Sequence, residues 1–91
     1  MENINKNRFD LLLKQVHDCP WGRYELFDNN GNSVRAFYDT DYESDNGLEE
    51  DEEEFEEFQC IVFRRIEDNA LFEVNYHQIP IKAICNEQII Y

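Results

Sequence analysis

The stretch that decides the fold runs from residue 23 to residue 39 and reads RYELFDNNGNSVRAFYD. Its centre, Asn29-Asn30-Gly31-Asn32, consists of residues that tolerate the positive φ values of a tight turn. Apolar residues on both sides alternate with polar ones, as in strands with one buried face: Tyr24, Leu26, Val34, Ala36 and Tyr38. The segment therefore predicts a β-hairpin with strands at residues 23–28 and 33–39.

The segment before this hairpin has the periodicity of an amphipathic helix. Between residues 5 and 17, apolar residues recur at intervals of three and four and form one stripe: Phe9, Leu12, Leu13 and Val16. Pro20 ends the predicted helix, because proline lacks the backbone N–H that the hydrogen-bond ladder requires. We expect the stripe to cover one face of an antiparallel sheet.

The chain beyond residue 57 predicts a second hairpin. Residues 58–66 and 71–77 are rich in β-branched and aromatic side chains, and Glu67-Asp68-Asn69 supplies the turn between them. Phe72, Val74 and Tyr76 recur at every second position and should face inward. The tail from residue 79 fits either a short helix or a last strand, and we favour the strand.

These elements together predict an α+β fold in a single domain spanning residues 1–91. The N-terminal helix packs on an antiparallel sheet of about four strands, which is built from the two hairpins. An acidic insert, residues 39–57, lies between the hairpins. A chain of 91 residues is long enough for one core of this kind.

The negative charge of the chain is concentrated in that insert. The formal net charge is −13, and the window of residues 39–57 contains twelve acids and no base. The remainder is nearly neutral, with nine acids against eight bases. The twelve acids are Asp39, Asp41, Glu43, Asp45, Glu49, Glu50, Asp51, Glu52, Glu53, Glu54, Glu56 and Glu57.

Two local structures are open for the window. In the first, residues 40–47 form a flexible loop, and residues 48–57 form a short helix that Leu48, Phe55 and Phe58 dock on the body. Such a helix needs this anchoring because its glutamates form like-charge pairs at i, i+4. In the second, residues 40–54 are disordered, as is usual for charged runs of low hydrophobicity.

Two functions are open as well. The window is either a solvated run that keeps a small structural or adaptor protein soluble, or a binding surface for a basic partner, since dense charge of one sign steers association. We favour the second. Because a Glu-rich helix approaches the charge density of duplex DNA, the expected partner is a nuclease or another nucleic-acid-binding protein. Nucleic-acid mimicry of this kind suits an immunity protein or an anti-defence inhibitor, with Tyr38 or Tyr42 adding rim contacts.

Metal binding is a further alternative for the acidic window. Asp41, Glu43, Asp45, Glu49 and Glu52 stand at positions 1, 3, 5, 9 and 12 of an EF-hand calcium loop. The glycine expected at position 6 comes one residue late, and a strand replaces the entering helix. A zinc set of His17, Cys19, His77 and either Cys60 or Cys85 is conceivable, but the cysteines have apolar neighbours. We therefore predict no metal site and no cofactor.

The rest of the sequence excludes several classes of protein. It contains no Gly-rich phosphate loop, Cys-x-x-Cys or His-Glu-x-x-His motif, so we expect no enzyme. The acidic charge disfavours direct binding of nucleic acid. We also expect no membrane span and no secretory signal, hence a cytoplasmic protein with reduced thiols. Trp21 should either cap the core at the helix exit, the interpretation we favour, or contact a partner.

Overall fold

The computed structural model describes residues 3–91, and its first element is helix α1, Ile4–Asp18. Asn3 caps the helix, because its side-chain oxygen accepts a hydrogen bond from the backbone N–H of Lys6 at 3.1 Å. At the other end, the backbone N–H of Cys19 donates to the carbonyl of Gln15 at 2.8 Å, and Pro20 follows. The predicted helix is therefore confirmed, one residue longer at each end.

The rest of the described chain forms one antiparallel sheet. It has six strands within residues 3–91, in the spatial order β4-β3-β2-β1-β5-β6. The predicted α+β class is confirmed, whereas the number of about four strands is wrong. The strands are β1 (Arg23–Phe27), β2 (Ser33–Asp45), β3 (Glu57–Arg65), β4 (Leu71–Val74), β5 (Lys82–Cys85) and β6 (Gln88–Ile89).

Both predicted hairpins are present. In the first, the backbone N–H of Asp28 donates to the carbonyl of Asn32 at 2.9 Å, and Gly31 has φ +83°, a conformation that glycine adopts without strain. The second joins β3 to β4 in antiparallel register. Val74 is buried in the second hairpin, and Phe72 and Tyr76 pack against the core, so its inward face is also as predicted.

The two extra strands come from the tail. β5 pairs with β1, and β6 pairs with β5, both antiparallel. The strand is thus the correct alternative for the tail and the helix is wrong. The sequence signal was weak because these strands have only four and two residues, which is too short for a period of two to stand out.

The core lies between helix α1 and one face of the sheet. Phe9, Leu12 and Val16 of the helix are buried against side chains from five strands: Tyr24, Leu26, Ala36, Ile61, Phe63, Val74, Ala83 and Cys85. The hydroxyl of Tyr24 donates to the carbonyls of Gln15 and Cys19, at 3.1 and 2.9 Å. These contacts tie strand β1 to the end of the helix, at two carbonyls that also accept the backbone N–H groups of Cys19 and Gly22.

The opposite face of the sheet, which we call the open face, is covered by no helix within the described residues, although Cys60 and Val62 are buried on it. Phe37 and Leu71 are 39% and 55% exposed there, because the register places them in one cross-strand row with Arg64. Trp21, in the turn after the helix, is 75% exposed. The prediction that Trp21 caps the core is therefore wrong, and its role as a partner contact stays a prediction.

The helix in the described part of the chain lacks the length and the apolar composition needed to cross a bilayer.

Candidate partner-binding site

The acidic window forms the end of the β2–β3 hairpin, which we call the acidic arm (residues 39–57). Strand β1 pairs with β2 only as far as Phe37, and β4 pairs with β3 only over residues 61–64. Beyond these neighbours, residues 42–45 and 57–60 pair with one another alone as a two-stranded ribbon. The window is thus not a separate insert between two hairpins.

The predicted local structure of the window is wrong. Residues 40–45 belong to strand β2 rather than to a flexible or disordered loop, and residues 48–56 form turns rather than a helix. The ribbon reduces the like-charge contacts that a helix would impose at i, i+4. Glu43 lies opposite Gln59, Asp41 lies opposite Ile61, and only Asp45 lies opposite another acid, Glu57.

The side chain of Asn46 organises the tip of the acidic arm. Its Nδ2 donates to the carbonyl of Glu54 at 2.8 Å, and its Oδ1 accepts from the backbone N–H groups of Leu48 and Glu56 at 3.3 and 3.4 Å. Two further backbone bonds, Glu52 N–H to Glu49 and Phe55 N–H to Glu52, close the turns at 3.0 Å each. The run of six consecutive acids, residues 49–54, is therefore carried on hydrogen-bonded turns.

A bulge in strand β2 sets which face the acids occupy. Tyr38 pairs with Phe63 and Thr40 pairs with Val62, so Asp39 is an extra residue. Because side chains alternate along a strand, this extra residue returns Asp41 to the face of Tyr38. The same face then carries Glu43, Asp45 and, across the ribbon, Glu57. The bulge gathers the strand carboxylates of the arm on one face.

Asp41 joins this bulge to helix α1. Its Oδ2 accepts hydrogen bonds from the Tyr38 hydroxyl and from Nε2 of His17, each at 2.5 Å. Partial burial raises the pKa of Asp41, but the two hydrogen bonds outweigh burial and hold the pKa below its ordinary value. Burial and the same bond raise the pKa of Tyr38 to about 12. Asp41 thus fixes the base of the arm to the body.

Most acids of the arm have no internal counter-ion among the described residues. Three have one: Asp41 with His17 at 2.5 Å, Asp39 with Arg64 at 3.2 Å, and Glu56 with His77 at 3.9 Å. The remaining nine are exposed to solvent and form no ion pair with a residue in the described range: Glu43, Asp45, Glu49, Glu50, Asp51, Glu52, Glu53, Glu54 and Glu57.

Aromatic side chains hold the other face of the ribbon. Phe58 is half-buried and packs edge-on against Tyr76 and His77, with ring centroids 6.1 and 5.3 Å apart. The Tyr42 hydroxyl donates to Glu73 of strand β4 at 2.5 Å. Phe58 thus anchors the arm from a strand rather than from the expected helix, and Phe55 is half-buried among the turns.

The geometry does not fit the metal sites considered from the sequence. Asp41, Glu43 and Asp45 lie on an extended strand, where alternate residues are roughly 6–7 Å apart, so they cannot wrap an ion as an EF-hand loop does. His17 and His77 face carboxylates rather than thiols. Within residues 3–91, no group of three or more His, Cys, Asp or Glu side chains is placed to hold a metal ion.

Comparison with known proteins assigns the chain to a family. The model of a family described as "Cognate immunity protein YxxD" matches residues 8–79, a range that includes the whole acidic arm. The chain belongs to the YxxD immunity protein family. No curated protein and no solved structure matches the chain significantly. Membership indicates an immunity-type protein with a non-enzymatic, inhibitory role and a protein partner, the cognate toxin.

The spacing in the name of the YxxD family occurs twice in this member, at residues 38–41 and 42–45. Only the first spacing brings its own Tyr and Asp together, because Tyr42 donates to Glu73 instead. In a regular strand, residues three apart face opposite sides, so the Tyr38–Asp41 bond requires the bulge. In the sequence, Tyr38 is in phase with Ala36 and Asp41 is out of phase with both, and this change of phase is the signal that could have indicated the bulge.

The crowding of charge on the acidic face of this YxxD protein has a measurable consequence. Repulsion from Glu43, followed by smaller contributions from burial, Glu50 and Asp45, raises the pKa of Glu57 above its ordinary value. Replacing Glu43 with Gln is expected to lower the pKa of Glu57 towards that value, as followed by side-chain carbonyl NMR during a pH titration. Glu49→Gln serves as the control, because Glu49 is not among the groups that raise this pKa.

The direction of the effect on stability also follows. Between the ordinary and the raised pKa of Glu57, the folded state binds more protons than the unfolded state. The contribution of this group to stability therefore falls as pH rises through the folded-state pKa. A Glu57 pKa that is unchanged by Glu43→Gln would contradict the placement of the two carboxyls on one face.

Proposed function

We propose that this immunity protein inhibits its cognate toxin by placing the acidic arm on a basic, nucleic-acid-binding surface of that toxin. The observation that carries the proposal is the set of nine exposed carboxylates without an internal ion pair, gathered on a ribbon that extends past the neighbouring strands. Unpaired charge of one sign is available to a partner, steers its approach and favours basic surfaces over acidic ones.

The acids of the arm divide into two roles under this proposal. The nine unpaired carboxylates contact the toxin, and those on the turns, residues 49–54, are the densest group. Asp39, Asp41 and Glu56 have partners within the protein and instead hold the arm in position. This division refines the expectation from sequence, which gave all twelve acids the same role.

The proposed nucleic-acid mimicry depends on the turns of the acidic arm. Residues 48–57 do not form the Glu-rich helix whose charge density was compared with that of DNA. Six consecutive carboxylates on hydrogen-bonded turns, next to Asp45 and Glu57 at the end of the ribbon, form a compact polyanion. Duplex DNA carries one charge per roughly 1.7 Å of axis, so a toxin that binds or cuts nucleic acid has a surface complementary to such a cluster. A nuclease is the partner class that this chemistry fits best.

The proposed site of action is the cytoplasm, where a nuclease toxin would meet its nucleic-acid substrate. The three cysteines are free thiols in the structure, a state that a reducing compartment maintains.

The test compares two variants that each lose four negative charges. The first carries Glu49→Gln, Glu50→Gln, Glu53→Gln and Glu54→Gln on the turns of the arm. The control carries four replacements at exposed acids outside the arm that form no ion pair in the described chain: Asp10→Asn, Asp18→Asn, Glu67→Gln and Glu87→Gln. The two variants have the same net charge, so a difference in their binding must come from the position of the removed charges.

Each variant is immobilised, exposed to lysate of the source cells and eluted by a salt gradient, and bound proteins are identified by mass spectrometry. The wild type and the control variant are expected to retain one stoichiometric basic protein to the same salt concentration. The arm variant should release it at lower salt, with affinity about tenfold weaker or more, since screened charge pairs carry the contact. Equal retention by all three would support the alternative that the arm only keeps the protein soluble.

A further inference from the structure

Two cysteines that are far apart in the sequence meet beside Gly22. Cys19 caps helix α1 and Cys85 ends strand β5. A Cβ atom added to Gly22 would lie 2.6 Å from Sγ of Cys85 and 3.2 Å from Sγ of Cys19. The first distance is shorter than real Cβ contacts allow, so the two thiols share space that only a glycine leaves open.

The surroundings distinguish this pair from the third cysteine. Cys85 is 3% exposed, whereas Cys19 is only half-buried and therefore accessible to a small reagent. Cys60 is buried in strand β3, where its sulfur lies 4.0 Å from Nδ2 of Asn75. Burial, and after it the neighbouring Cys85 thiol, raise the pKa of Cys19, as expected when one thiolate forms beside another.

We propose that Cys19 and Cys85 are an oxidation site, at which a low-molecular-weight disulfide such as glutathione disulfide converts the two thiols into one intramolecular disulfide. The Cys19 thiolate attacks one sulfur of glutathione disulfide, forms a mixed disulfide and releases one glutathione thiolate. The Cys85 thiolate then attacks the Cys19 sulfur and releases the second glutathione. Two protein thiols are oxidised, one glutathione disulfide is reduced, and the two protons go to the departing glutathione thiolates.

The disulfide would tie the end of helix α1 to strand β5. It would close a loop from residue 19 to residue 85, which includes strands β1 to β4 and the acidic arm. A cross-link over a loop of this length restricts the unfolded chain and raises stability. The reaction should accelerate as pH rises, because the thiolate is the attacking species and the pKa of Cys19 is raised. The proposal is independent of the function proposed for the arm.

The test uses the folded wild-type protein, Cys60→Ser and Cys85→Ser, each incubated with glutathione disulfide at alkaline pH and then quenched with acid. Wild type and Cys60→Ser are expected to lose about 2 Da, the two thiol hydrogens, with peptide mapping linking residues 19 and 85. Cys85→Ser should stop as a glutathione adduct on Cys19. The oxidised wild type should also unfold at a higher denaturant concentration than the reduced protein.

Three results would overturn the proposal. One is a disulfide that includes Cys60. The second is a stable glutathione adduct on wild-type Cys19, which would place Cys85 out of reach of the Cys19 sulfur. The third is oxidation of the pair only after urea unfolding, which would show that the folded arrangement does not bring the thiols to a reactive geometry.

Discussion

Replacing Phe63 with alanine is expected to destabilise the protein by about 3–5 kcal/mol, the usual cost of truncating a fully buried phenylalanine. Phe63 is fully buried in strand β3, where its ring packs against Tyr24 and Phe72 with centroids 5.6 and 5.7 Å apart. Since small domains are stable by only about 5–15 kcal/mol, a large fraction of the molecules should unfold at modest denaturant. Urea denaturation followed by circular dichroism measures the shift.

Phe37→Ala is the matched control, because the same truncation is made in the neighbouring strand β2 on the open face. Phe37 is 39% exposed, and its loss should cost less than about 1.5 kcal/mol, since the burial term scales with the area removed from water. Equal costs for the two variants would mean that both faces of the sheet are covered in solution, contrary to the arrangement described.

A one-sided core leaves surface free for a partner. Helix α1 covers one face, and the other face carries the exposed Phe37 and Leu71, with Trp21 and Phe37 lining the same surface pocket. Aromatic side chains are enriched where proteins bind one another, and the contact of Trp21 with a partner stays a prediction. The fold can tolerate such exposure because its stability comes from the helix-covered face.

The parts of the fold that the sequence predicted well depend on local signals. The turn at residues 29–32 and the stripe of helix α1 each arise from neighbouring residues, and each is found within a residue or two of the predicted position. Strands β5 and β6 have too few residues to show a period. Trp21 was misplaced because average burial of a residue type does not say on which side of a turn the side chain lies.

The structure of the acidic arm depends on pairing between residues far apart in the chain. Considered alone, residues 40–57 fit a loop, a helix or a disordered segment, since glutamate is a good helix former and charged runs are often unfolded. Pairing of strand β2 with strand β3 decides among them, because Tyr42 and Thr40 have partners at Cys60 and Val62. Periodicity within one segment carries no information about such pairing, so the charge could be predicted but its scaffold could not.

Replacing Asp41 with alanine is expected to destabilise the protein by about 2 kcal/mol at neutral pH. Two hydrogen bonds to one carboxylate are lost, those from Tyr38 and His17, and bonds to charged groups contribute about 1.5–3 kcal/mol each before solvent exposure reduces them. Asp39→Ala is the control. The ion pair of Asp39 with Arg64 is exposed on both sides, and such pairs contribute at most about 1 kcal/mol.

The pH dependence of stability shows whether Asp41 stabilises the protein through its charged carboxylate or only through packing. Because its pKa is held below the ordinary value of 3.8, its contribution to stability is present above that value and is lost as pH falls through the folded-state pKa. The difference in unfolding free energy between wild type and Asp41→Ala should therefore shrink in acid. At the alkaline end, absorbance should show Tyr38 titrating below its wild-type value of about 12 in the variant, since Asp41 helps to raise that pKa.

The same variant tests whether the Tyr38–Asp41 bond positions the arm. If it does, amide hydrogen exchange in Asp41→Ala should accelerate over residues 42–45 and 57–60, the ribbon that pairs only with itself, while strands β1 and β5 keep their protection relative to global stability. Asp39→Ala should leave the ribbon protected. Uniform acceleration across the sheet would instead assign Asp41 to general stability, and the conformation of the arm would then depend on Asn46 and Phe58.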